Sequence, residues 1–480
     1  MAKNGITNRS LALDALRGIA IIGMVLSGTI AHTLPAWMYH AQVGPRSGMK
    51  FDPSFVGITW VDLVFPFFLF AMGAAFPLAL GRKLDNGVKP ASLLAPIFKR
   101  AFLLAFFAIA IYHCTPYRLS GNWNYALAML AFVLFFASFV RFRFLSEKKN
   151  SLVNWVGIGL LALLIVFNVA SQPDVFKSGF KLSHNDIIIL VLANMAVFGA
   201  ILWMYTRSNL MARLAVLALL LALRAASGVE GSINKLIWNF NPLQLLPENF
   251  TALLYENKGW LYRMEFLKYL FIVVPGTIAG DIVLKWINTA DEKPSGILAR
   301  KNMVLFASLM PAFVISNLVC LYSRFFYANL IINLVLSAGG FVLLKHRTSA
   351  TEEVYFKLFQ WGTFWLLLGT FFEAFEGGIR KDSATFSYFF VTSGLAIFTF
   401  LFFSLVVDYL GKKSLFRYLS ECGQNPMLAY VAGTFFVVPA LVFTGLMPVI
   451  NKLHEITPGF GLLKGLIITG GMMAVTVISV

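Results

Sequence analysis

The sequence predicts an all-α fold, a polytopic integral membrane helical bundle of about 11–14 transmembrane helices with a cytoplasmic amino terminus. Three observations predict it. The 480 residues are 59% hydrophobic and only 13% charged, with a mean hydropathy of +0.76, whereas a soluble domain carries roughly 25% charged residues. Apolar runs of about twenty residues, enough to cross a hydrocarbon core, recur along the whole chain. Basic residues cluster in alternate connections between those runs, as the positive-inside rule expects.

The first apolar stretch opens with Asp14 and Arg17 and continues to about Ala31. It lacks a small-residue cleavage site after a short apolar core, so it reads as a retained membrane helix. Further spans are predicted over 58–80, 125–140, 152–170, 187–205, 266–283, 303–321, 355–372 and 386–407. These runs are continuously apolar, which excludes an outer-membrane barrel with its alternating short strands. With Lys3 and Arg9 inside, basic cytoplasmic loops fall at 82–83, 141–149, 207–213, 285–301, 345–347 and 412–417. The segments 33–57, 115–124, 171–186, 228–263, 373–387 and 448–459 then face outward. No linker or compositional break divides the chain, which reads as a single domain over 1–480 in the inner (plasma) membrane.

The net charge of +17 belongs to this topology and to anionic headgroups, so the bilayer is the expected partner and nucleic acid is not. Cys114, Cys320 and Cys422 are widely separated and odd in number, which argues against a disulfide framework or a metal site. The chain has no phosphate-binding glycine loop, no dinucleotide fingerprint, no HExxH and no GxSxG, which removes support for nucleotide-driven pumping, dinucleotide chemistry and zinc proteolysis.

Candidate chemistry concentrates at membrane entrances. Asp62 opens a helix and Pro66 follows one turn later. It reads either as a partner of the helix dipole or as the acid that orients a nearby imidazole. Asp14 and Arg17 are spaced to pair with each other or with headgroups. His40 lies in the aromatic loop segment Trp37-Met38-Tyr39-His40, either as a packing residue or as a base suited to neutral pH. Glu373, Arg380, Lys381 and Asp382 form a charged connection between two apolar helices. That connection is either solvated or a wall of the site, with Arg380 and Lys381 offered to an anionic ligand. Asn425-Pro426 is a helix-initiation signal, so Asn425 is an N-cap first and a ligand contact second.

The order of these segments resembles the transmembrane acyltransferases typified by heparan-α-glucosaminide N-acetyltransferase. The resemblance is carried by Asp14-Ala15-Leu16-Arg17-Gly18, then His40-Ala41, then Gly57-Ile58-Thr59-Trp60-Val61-Asp62-Leu63-Val64-Phe65-Pro66, with support from Pro275–Gly280, Ile379–Ser393 and Gly423–Tyr430. It implies acetyl transfer from acetyl-CoA, a co-substrate and not a resident cofactor, to the amine of a terminal amino sugar or glycan. His40 would be the catalytic histidine and Asp62 the residue that fixes its tautomer. Arg17, Arg100 or Lys381 would meet the phosphates of the donor. The chain departs from the family by an insertion over 43–53. It also has Ser27 and Thr29 where the lysosomal member carries an asparagine. Direct transfer and an acetyl-histidine intermediate both remain open, as does a homodimer. An O-acetyltransferase of surface polysaccharide and a secondary transporter or flippase of a sugar intermediate are the competing readings.

Overall fold

In a computed structural model, residues 10–479 are described apart from 143, 178, 242–244, 246, 248–261, 290–296 and 348. Lys3 and Arg9, on which the orientation of the amino terminus rests, lie outside the described residues, as do parts of the 228–263 and 285–301 connections. The described residues are helical, with no strand among them. In chain order the helices are α1 (Leu11–Thr29), α2 (Trp60–Asp85), α3 (Pro90–Cys114), α4 (Asn124–Phe139), α5 (Glu147–Ser171), α6 (Ile187–Thr206), α7 (Leu210–Ala225) and α8 (Ile233–Asn239). They continue as α9 (Leu270–Thr289), α10 (Ile297–Tyr322), α11 (Phe326–Leu343), α12 (Ala350–Phe375), α13 (Phe386–Ser404) and α14 (Arg417–Gln424). The last are α15 (Pro426–Ala432), α16 (Val438–Phe443), α17 (Leu446–Ile456) and α18 (Gly461–Ile478).

Among the described residues, 11 helical segments are long and apolar enough to cross a membrane, so the protein is an integral multi-pass membrane protein. The predicted spans 58–80, 187–205 and 386–407 coincide with Trp60–Asp85, Ile187–Thr206 and Phe386–Tyr409. The stretch 355–372, also predicted to span, lies in α12 but is not one of the 11. Lys357 and Gln360 interrupt its apolar run. Both lie on the exposed face of α12, where Lys357 pairs with Glu353 at 3.4 Å, while Tyr355, Phe359 and Leu366 on its other face are almost fully enclosed.

The chain divides into two compact units, one of residues 1–89 and 269–424, the other of residues 90–268 and 425–480. In the first, helices meet backbone to backbone through glycine, as helices in lipid do when van der Waals contact must hold them together. A Cβ on Gly18 would lie 1.8 Å from the carbonyl oxygen of Leu419, and one on Gly423 would lie 1.9 Å from that of Asp14, so α1 and α14 cross at two reciprocal contacts. In the same way Gly73 admits the Val273 carbonyl while Gly276 and Gly280 admit those of Phe70 and Ala74, which locks α2 to α9. The second unit packs aromatics, Phe107 meeting Phe135, Phe139 and Tyr430. Asp186 caps α6 through Ile188 N and Ile189 N and accepts the Tyr430 hydroxyl at 2.6 Å.

Candidate active site

The loop between α1 and α2 is held by its own side chains. Tyr39 Oη donates to Ala31 O at 2.5 Å and accepts Leu34 N–H at 2.8 Å. Burial pushes this hydroxyl above its ordinary range, so it remains a neutral staple. Thr59, the N-cap of α2, donates through its hydroxyl to Tyr39 O at 2.7 Å. Asp62 closes the capping box by accepting Thr59 N–H on Oδ2 at 2.9 Å. The same oxygen accepts Ala41 N–H at 3.2 Å. One fully buried carboxylate therefore fixes both the start of α2 and the peptide that follows His40.

The second oxygen of Asp62 faces charged neighbours. Oδ1 makes no ordinary hydrogen bond and lies 3.4 Å from His40 Nε2 and 3.9 Å from Lys381 Nζ. Asp382 Oδ2 is also 3.4 Å from His40 Nε2. His40 Nδ1 accepts Gln42 N–H at 3.0 Å. That donor requires a lone pair on Nδ1, so the neutral ring carries its proton on Nε2, facing the two carboxylates. The His40 side chain is 16% exposed while that of Asp382 is 48% exposed, so the group is reachable from one side.

Gln42 brings the two loops together. It is fully buried, its Oε1 accepts Asp382 N–H at 2.9 Å, and its Nε2 donates to Asp382 O and to Pro53 O. Gly57 N–H donates to Ile379 O at 2.8 Å, a second tie between the same loops. Gly57 has φ +112°, and a Cβ there would meet Leu321 O at 3.0 Å, so glycine is required by both conformation and space. Tyr388, on α13, donates its hydroxyl to Asp62 O at 2.8 Å. Sequence reading overlooked Gln42 and gave Tyr388 no role. The only local signal was the spacing of Gln42 two residues after His40.

Of the residues singled out from sequence, His40, Asp62, Lys381 and Asp382 converge. The others do not join them. Arg380 directs its guanidinium to Glu376 O at 3.3 Å, and Glu376 caps α13 through Phe386 N and Ser387 N at 2.7 and 2.8 Å. Glu373 is buried and ion-paired with Arg324. Asp14 and Arg17 pair at 2.9 Å beside the α1–α14 crossing, at the opposite end of α1 from the His40 loop. Arg100 stands on an exposed face of α3 in the second unit. Asn425 occupies the N-cap position of α15, with Pro426 following, but its side chain makes no cap hydrogen bond.

The family described as a domain of unknown function (DUF5009) matches residues 9–283, more than half of the chain. The chain belongs to the DUF5009 family. The DUF5009 match contains His40, Gln42, Thr59 and Asp62 and extends into α9, whereas Lys381, Asp382 and Tyr388 lie beyond it. No curated protein matches the chain.

Proposed function

We propose that this DUF5009 protein is a membrane acetyltransferase that moves an acetyl group from acetyl-CoA to the amine of a terminal amino sugar, with His40 as general base. The observation that carries the reading is the His40 imidazole set against two carboxylates, Asp62 and Asp382, each 3.4 Å from Nε2. Nδ1 is the basic nitrogen, and the acceptor amine takes the place of Gln42 N–H there. As the amine attacks the thioester carbonyl, its nitrogen forms the new amide bond and its proton passes to Nδ1. The carbon–sulfur bond then breaks, and the imidazolium returns the proton to the departing thiolate.

Charge supports this role. Asp62 and Asp382 carry two negative charges and Lys381 one positive, so the group becomes neutral overall when His40 takes up a proton. An imidazolium formed there meets prearranged carboxylates in a largely buried setting, which lowers the barrier to its formation. The resemblance of Asp14–Gly18, His40-Ala41 and Gly57–Pro66 to the transmembrane acyltransferases supplies the reaction class, and the multi-pass helices fit a plasma-membrane location.

The test is to incubate purified protein with acetyl-CoA and glucosamine and to follow N-acetylglucosamine and free CoA by mass spectrometry. Product formation that disappears in His40→Ala is the expected result. Absence of CoA release across a panel of amino sugars overturns the reading.

A further inference from the structure

The first unit contains a buried polar seam that the His40 chemistry does not use. On α11, Asn329, Asn333 and Ser337 recur every four residues and are buried, while neighbours on the same helix such as Ile331 and Val335 are more than 60% exposed. Asn333 and Asn317 of α10 exchange reciprocal amide hydrogen bonds at 2.8 and 3.1 Å. Farther along α11, a Cβ on Gly340 would touch the Phe359 ring of α12 at 2.2 Å. One turn beyond Phe359 on α12 is Thr363, followed on the same face by Leu366, Thr370 and Glu373, all buried. Glu373 pairs with Arg324 in the turn between α10 and α11.

Several seam atoms lack partners among the described residues. Both amide atoms of Asn329, Ser337 Oγ and Thr363 Oγ1 are buried with no hydrogen bond among the described residues. By contrast, Thr370 on the same stripe satisfies itself on Leu366 O at 2.8 Å. Serine and threonine in a membrane helix normally do this, because an orphaned polar group away from water is costly. Two helices, α11 and α12, contribute these atoms beside the Asn317–Asn333 pair that joins α10, and on α11 they extend over about 12 Å, at 1.5 Å per residue from Asn329 to Ser337. Each is a site for a molecule that both donates and accepts.

We propose that a file of bound water molecules threads the α10–α11–α12 seam, with the Arg324–Glu373 ion pair closing the end nearest the α10–α11 turn. Neutral polar side chains without a permanent charge suit water and not an ion. The Asn329 amide and the Ser337 and Thr363 hydroxyls offer water both donors and acceptors on the wall.

The test uses the silver ion, which attacks thiolates only where water reaches them. Ser337→Cys and Thr363→Cys are each treated with silver in detergent, then denatured and alkylated, and the fraction protected is read peptide by peptide. Protection about tenfold above that of Leu358→Cys and of the native buried Cys114 and Cys422 is expected, because only hydrated thiols ionise. A second measurement needs no substitution. Hydroxyl-radical footprinting should oxidise Phe313 and Phe359, which border the seam, faster than the equally buried Phe70 and Phe271. Thiols as unreactive as the controls, or Phe313 and Phe359 labelled no faster than Phe70, would show a dry interhelical contact and overturn the proposal.

Discussion

Two histidines, one half-buried and one fully buried, lie in different units and have opposite surroundings. His40 sits between two carboxylates, with Lys381 close by and its Nδ1 turned to a backbone N–H. His113, at the end of α3, is fully buried and directs Nδ1 to Ile109 O at 2.9 Å in its own helix. Its ring lies among Phe176, Phe180 and His184 at centroid distances of 5.4, 5.2 and 6.1 Å, and its Nε2 finds no hydrogen bond. No carboxylate pairs with it among the described residues. Enclosure of an imidazole alone therefore says little about chemistry. The acids that can share or stabilise its proton decide whether it acts as a base or as an aromatic filler.

The largest test of this contrast is a pair of substitutions in the acetyl-transfer assay. His40→Ala should lower the rate by roughly 10²–10⁴-fold, the usual contribution of a general base, while His113→Ala leaves turnover per folded molecule unchanged. Equal losses would erase the distinction. Asp62→Asn comes next, with an expected loss of about 10²-fold in kcat, at the lower end of the general-base range. It keeps a capping acceptor for Thr59 N–H, so circular dichroism and the melting temperature should change little.

Gln42→Ala should cost less. It leaves His40 and both carboxylates in the chain but removes the amide that ties Asp382 to the His40 loop. A drop of about tenfold in kcat is expected, a loss of roughly 1.4 kcal/mol in transition-state stabilisation, with Gln42→Glu restoring only the bond to Asp382 N–H. Unchanged kcat would mean that Asp382 is held by other contacts. The smallest expected effect is that of His113→Phe. It loses one hydrogen bond to Ile109 O but also removes an unpartnered buried nitrogen, so the melting temperature should shift by only a few degrees. A large destabilisation would give His113 a polar role comparable to that of His40.

Much of the architecture was legible because membrane insertion depends on sums over neighbouring residues. The span 386–407 carries no charged residue and appears as Phe386–Tyr409. The α12 stretch was harder to classify, since Lys357 and Gln360, both on the exposed face of that helix, lower the hydropathy of an otherwise apolar run. The candidate site was legible in part. His40 and Asp62 were readable from the loop and the start of the helix that follows it. Glu373 and Arg380 looked equivalent to Lys381 and Asp382 in a single charged run, yet one pairs with Arg324 and the other turns to Glu376 O.

The sequence by itself determined that this chain is a multi-pass helical membrane protein, because hydropathy over about twenty residues is a local property that no distant contact can reverse. It also marked His40 and Asp62, which are close along the chain. Only the tertiary structure decided that Asp382 completes their group and that Gln42, 340 residues away in sequence, holds it there. Which side of a charged loop faces an imidazole depends on hydrogen bonds between segments, and those exist only once glycine contacts have brought the helices together.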